Sequence, residues 1–132
     1  MTTPIPDELA DVLQKTGIAH LASLGPDGEP QSHPVWFHWS NGTLRLSTLR
    51  GRQKLKNVER DARIAVSITD PDSPTRYLEL RGHATVEADE DRSFVNLLAK
   101  RYLGQDEYPW DAPDAQRVII SLEPEHVTTM GA

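Results

Sequence analysis

The sequence predicts a mainly β protein with short α-helices, built as a closed or split barrel, and three observations predict it. Residues 77–86 alternate without a break: Leu78, Leu80, Gly82, Ala84 and Val86 on one side, Tyr77, Glu79, Arg81, His83 and Thr85 on the other. That period of two belongs to a strand with one buried face. Asn41-Gly42 lies between two further β-patterned runs, and this dipeptide suits the tight turn of a two-residue hairpin. Six or seven short strand patterns separated by turn residues, with only two or three small helical patterns, fit an antiparallel barrel.

The elements follow in order. Residues 6–16 read as an amphipathic helix, with Asp7 and Glu8 in the first turn, Leu9, Val12 and Leu13 on one face, and Gly17 after the end. A first strand is expected over Ile18–Leu24, then a turn at Pro26-Asp27-Gly28-Glu29. The second strand is expected to run unbroken from about Pro30 to Ser40, and the hairpin leads into a third at Thr43–Leu49. A short basic helix precedes a fourth strand at Arg63–Thr69, whose Ile64, Val66 and Ile68 point inward. Residues 70–74, rich in Asp and Pro, read as a loop before the long alternating strand. A second helix is expected at about 91–103, with Phe94, Leu98 and Tyr102 spaced by four, Asp91 as its cap and Gly104 ending it. Residues 105–115 form an acidic loop carrying Tyr108 and Trp110. Val118, Ile120 and Leu122 make a sixth strand and His126–Met130 a short seventh.

Composition narrows the function. At 132 residues the chain is expected to be one domain, 1–132, and it shows no repeat, linker or low-complexity tract. Hydrophobic residues make up 37% of it, and no run is long enough to span a membrane. The start, Met1-Thr2-Thr3-Pro4-Ile5-Pro6, has neither the basic nor the apolar region of a secretory signal. The absence of cysteine rules out disulfides, thiolate catalysis and Cys-ligated metals and fits a reducing cytoplasm, the expected location. A net charge of -6 argues against nucleic acid as a general partner.

Against that acidic background, six basic residues (Arg50, Arg52, Lys54, Lys56, Arg60 and Arg63) fall within residues 50–63. Cations gathered at one place in an acidic protein point to an anion there. They follow a strand that passes through Gly51 into a helix, and the free N–H groups of a helix start suit phosphate. The stretch reads as the anchor of a phosphorylated cofactor. Arg60 and Arg63 can instead pair with Glu59 and Asp61 on a solvated face.

No other chemistry is legible. There is no Ser/His/Asp set and no pair of carboxylates that spacing would bring together. His33 and His38, five apart on one strand, point to opposite faces, and His20, His83 and His126 complete no site, so no metal is expected. Trp39 sides with Val35 and Phe37 and reads as core. Trp36 sides with Pro34 and reads as a cofactor wall or an interface residue.

With these elements placed, three stretches resemble the pyridoxamine-phosphate-oxidase-like flavoproteins. They are Gly28-Glu29-Pro30-Gln31-Ser32-His33-Pro34-Val35-Trp36-Phe37, then Arg50-Gly51-Arg52-Gln53-Lys54-Leu55-Lys56-Asn57-Val58 with Asp61-Ala62-Arg63, and finally Lys100-Arg101-Tyr102-Leu103-Gly104 before the acidic loop that reaches Pro109-Trp110. Within that superfamily the chain is most similar to the small deazaflavin-dependent reductases that use coenzyme F420. The resemblance implies an FMN-binding type of split β-barrel, assembled as a homodimer with the cofactor at the subunit interface. It implies that Arg50, Arg52, Lys54 and Asn57 serve the phosphate and tail, and that Ser47 and Thr48 supply hydroxyls or backbone donors. Pro34, Val35 and Trp36 would lie along the ring, while Tyr77 and Trp110 would wall the substrate side. Ala62 stands where the family's motif has Pro. The chain ends at Ala132 without the Arg- and Trp-containing segment that pyridoxamine-phosphate oxidases use on their substrate, so the vitamin B6 reaction is not expected.

Charge favours the deazaflavin over FMN. Coenzyme F420 carries a phosphodiester and an oligoglutamate tail where FMN has one phosphate. Exposed cation contacts contribute only ~0.2–1 kcal/mol each, so a long anionic tail calls for several. The expected activity is hydride transfer from the reduced cofactor to a conjugated small-molecule acceptor such as an enone, quinone or tetrapyrrole. The cofactor carries the chemistry and the protein supplies orientation, with Tyr77 and His33 as conceivable proton donors. The alternatives are an FMN-dependent oxidase or flavin reductase of the same superfamily, a non-catalytic F420 carrier, or use of the basic turn for RNA.

Overall fold

The computed structural model describes residues 3–131. Eight antiparallel strands run as β1 (Ala19–Leu24), β2 (Pro30–Val35), β3 (His38–Ser40), β4 (Thr43–Leu49), β5 (Arg63–Asp70), β6 (Ser73–Ala88), β7 (Arg117–Leu122) and β8 (His126–Met130). Helices α1 (Gln53–Arg60) and α2 (Ser93–Leu103) interrupt them. The strands join in the order β2-β1-β5-β6-β7-β4-β3, with β8 on β6, which is the expected split barrel.

The 16-residue β6 holds the two halves together. Its first part pairs with β5 and β8, and from Ala84 to Ala88 it pairs with β7 instead. Gly82 sits just before that change of partner. A Cβ there would meet the Glu125 carboxylate at 2.9 Å and Leu122 Cδ1 at 3.0 Å, so a side chain at the crossing would have to displace both. Inside lie alternate residues of β1, β4, β5, β6 and β7, among them Leu21, Leu44, Leu46, Val66, Ile68, Leu78, Leu80, Val118 and Ile120, all nearly inaccessible.

Four expectations are corrected. The second strand is not continuous: β2 ends at Val35 and β3 begins at His38. Phe37, fully buried, takes its backbone bonds outside any sheet. Its N–H donates to Tyr102 Oη at 3.2 Å, and its carbonyl accepts from Arg101 Nε at 3.2 Å. At this break the chain leaves the β1 edge and joins β4, which opens the gap that splits the barrel.

The first helix is a 3₁₀ segment, Asp7–Gln14. Leu9 N–H bonds back three residues to Pro6, and Leu9, Val12 and Leu13 enter the core. The guanidinium of Arg101 collects the carbonyls of Leu13, Gln14 and Lys15 at its end. The loop expected at 70–74 shrinks to a turn, with β6 starting at Ser73. It is pulled tight by the buried Asp70 carboxylate, which Lys15 and Arg76 both reach.

The last correction concerns the cap of α2. Asp91 accepts only from Ser93 N–H. The buried Asp89 instead receives Phe94 N–H at 3.1 Å and Val95 N–H at 2.9 Å. Asp89→Ala leaves both donors unsatisfied and is expected to cost about 2 kcal/mol, read as a lower denaturation midpoint at unchanged slope. An unchanged midpoint would reject the cap.

Helix α2 lies outside the barrel, where Phe94 and Leu98 pack on Ile119 of β7 with Trp36 and Tyr102 beside them. No helix among the described residues is long and apolar enough to cross a membrane.

Candidate functional site

A cavity of about 350 Å³ opens among the end of β2, β4, α1, α2 and β7, within the range of small-molecule sites. Its walls come from Pro34, Val35 and Trp36 at the end of β2, Ser47 of β4, Lys54 of α1, Val95 and Leu98 of α2, Arg117 of β7, and Ile18 and Tyr108 from loops. None of these residues is acidic.

The walls are set by strand and helix phase. On β4 the residues alternate, so Leu44, Leu46 and Thr48 enter the barrel and Ser47 turns to the cavity. Between β4 and α1 the chain turns at Gly51, with φ of +93°, a conformation that costs glycine little. Helix α1 then begins with no side-chain cap and no acid in its first turn, leaving its leading N–H groups open to an anion.

Trp36 is held flat by Tyr102, their rings parallel to within 5° and 4.9 Å apart. Tyr108 meets Trp36 edge-on at 6.0 Å and Trp110 at 5.5 Å, so an aromatic row runs from the cavity to solvent. Trp110 at its end is 65% exposed.

Electrostatically the cavity is cationic. Burial lowers the pKa of Lys54, and Arg52 and Arg117 push it further down. His33, behind it on β2, is likewise lowered, first by burial and then by Lys54. Asp111 is bound by two arginines, Arg92 and Arg117, so this group of three carries one net positive charge. With Lys54 and Arg52 the region carries three.

The structure brings Pro34, Val35, Trp36, Ser47 and Lys54 together around one space. Arg52 is exposed at the start of α1, close enough to act on Lys54. The other candidates go elsewhere. Thr48 is buried, its hydroxyl lacking a partner. Asn57 is fully buried and satisfied: its amide donates to Ser23 and Gln31 and accepts from Gln53 and Arg60, so it fastens α1 to β1 and β2. Arg50 faces a separate groove with Asp89 and Arg92 and lies 4.0 Å from Glu59. Tyr77 sits opposite Thr69 and Met130, away from the cavity.

Of the two outer arginines, Arg63 pairs with Asp61 as weighed, while Arg60 turns to the carbonyl of Leu24 rather than to Glu59. The sequence pattern does not mark Ile18, Val95, Leu98 or Arg117 as cavity residues, and it gives Tyr108 only a place in a loop.

The fold is shared with known proteins. The family model described as pyridoxamine 5'-phosphate oxidase matches residues 5–131. A solved F420 reductase superposes with a TM-score of 0.83 at 35% identity, covering 94% of this chain and 98% of that one. A conserved hypothetical protein from Mycobacterium tuberculosis gives 0.76 at 23% identity, covering 98% and 86%. General stress protein 26 from Bacillus anthracis gives 0.69 at 21%, covering 94% and 92%. These last two show the fold alone.

Proposed function

The chain belongs to the pyridoxamine 5'-phosphate oxidase family, and from that premise we propose that it is an oxidoreductase using the deazaflavin coenzyme F420. The observation that carries the reading is Lys54. It is a half-buried lysine at the uncapped start of α1 whose charged neighbours, Arg52 and Arg117, are also cations. Half-burying a cation beside two others raises the free energy of the empty protein, and an anionic ligand relieves it. The likeness to an F420 reductase at 35% identity supports the choice of cofactor.

The residues present fit such a group. Lys54, Arg52 and the leading N–H groups of α1 would hold its phosphate, with Ser47 at hand as a hydroxyl. Pro34, Val35 and Trp36 give a flat apolar wall for a conjugated ring, which Tyr102 keeps rigid. Val95 and Leu98 add apolar surface to the same cavity. When bound and reduced, the cofactor supplies a hydride to an electron-poor conjugated acceptor. The same reading takes the protein as a homodimer whose second copy covers Ile18 and Trp110, both apolar and exposed beside the cavity.

Titration with oxidised coenzyme F420 and, in parallel, FMN tests this. F420 is expected to bind in the micromolar range or tighter, FMN more weakly, and reduced F420 is expected to be consumed with an enone or quinone. Tighter binding of FMN would move the assignment to a flavin enzyme. Tight F420 binding without turnover on any acceptor would make the protein a carrier.

A further inference from the structure

We infer that Arg117 is a ligand-binding residue of this cavity and that Asp111 is the positioning residue that presents its guanidinium. This rests on the reading of the cavity as an anion site.

Arg117 opens β7 with its side chain only 9% exposed. Its Nε and Nη2 donate to the two carboxylate oxygens of Asp111, each at 2.7 Å. Nη1 donates to Ser47 Oγ at 3.3 Å, and the guanidinium lies 4.6 Å from the centre of the Tyr108 ring. Of the five N–H donors that the group carries, these bonds use three. Two remain beyond these bonds, on a side chain that lines the cavity.

A structural ion pair would need one arginine for one carboxylate. Here Asp111, 5% exposed, also receives Arg92 at 2.8 Å, so the pairing leaves cationic charge in excess. Arg117 acts on Lys54, which lines the same cavity. Two cations lining one cavity, one fixed in a planar fork and one on a flexible stem, make a clamp for an oxyanion. Because Asp111 belongs to the loop that carries Tyr108, the bridge that aims Arg117 also sets the aromatic wall.

The test is the affinity of the full-length protein for oxidised F420 and FMN, at several salt concentrations, in four variants. Arg117→Gln is expected to weaken binding of the tighter ligand by roughly 10- to 100-fold and to flatten its salt dependence. Arg117→Lys keeps the charge without the fork, so it should keep the salt dependence and bind with intermediate affinity.

Asp111→Asn adds net positive charge, and simple attraction would tighten binding. A positioning role predicts the opposite, weaker binding with an undiminished salt dependence. Lys54→Gln serves as the reference for loss of the anion site. Wild-type affinity in both Arg117 variants, with Lys54→Gln impaired, would overturn the inference and leave the proposed function standing. Tighter binding by Asp111→Asn would overturn the role of Asp111. If Arg117→Gln fails to fold, wild-type affinity in Arg117→Lys overturns the fork. Failure of the wild type to bind either cofactor would overturn both readings and is seen before any variant is compared.

Discussion

Lys54→Gln is expected to weaken binding of oxidised coenzyme F420 by roughly 10- to 100-fold, the equivalent of one charged hydrogen bond of about 1.5–3 kcal/mol. The folded protein itself should not suffer. Lys54 is partly desolvated and feels the charges of Arg52 and Arg117, so removing its charge relieves an unfavourable interaction in the free state. The pH dependence gives an independent check. The folded pKa of Lys54 lies below its ordinary 10.5, so the unfolded chain holds this proton to higher pH than the folded one. Between the two values the free protein therefore gains stability as pH rises. Over the same window the lysine loses its charge and anion affinity falls. Lys54→Arg should keep binding while abolishing that alkaline loss. An affinity unchanged in the Gln variant would remove Lys54 from the site.

Phe37→Ala is expected to destabilise the protein by about 3–5 kcal/mol, the range for truncating a large buried aromatic. Phe37 is fully buried at the break between β2 and β3. Its ring lies 5.4 Å from the Arg101 guanidinium, and its backbone is bonded to Tyr102 and Arg101. A cavity there loosens the joint that fixes its neighbour Trp36, so cofactor affinity should fall along with stability. Chemical denaturation measures the first and ligand titration the second. A loss under about 1.5 kcal/mol, typical of a volume-conserving core change, would mean that the break is held by its hydrogen bonds alone.

Much of the frame was legible because it is local. Strand alternation in β4, β5 and β6 follows from which side chains are apolar, and the observed burial repeats it residue by residue. The Asn41-Gly42 turn sits between β3 and β4 where both residues have positive φ. Where expectation failed, a partner that local pattern does not single out had taken over the bonding. The strand from Pro30 was broken by Tyr102 and Arg101, 65 and 64 residues beyond Phe37. The cap of α2 came from Asp89 rather than the nearer Asp91, since only Asp89 is buried against the first helical turn.

The basic stretch shows the same division. From the sequence alone came the fold class, the strand-to-helix turn at Gly51, the concentration of cations after it and the resemblance to the family. Which cations face the cavity was a tertiary decision. The phase of α1 turns Lys54 inward, leaves Lys56 exposed and sends Arg60 to Leu24. Arg117 and Asp111 lie more than fifty residues from Lys54 in the chain, yet the pairing of β7 with β4 puts Arg117 beside Ser47. A sequence displays charge and period, which are properties of neighbours. Which charges share one wall depends on strand pairing across the whole barrel, and the site exists only once those pairings have closed.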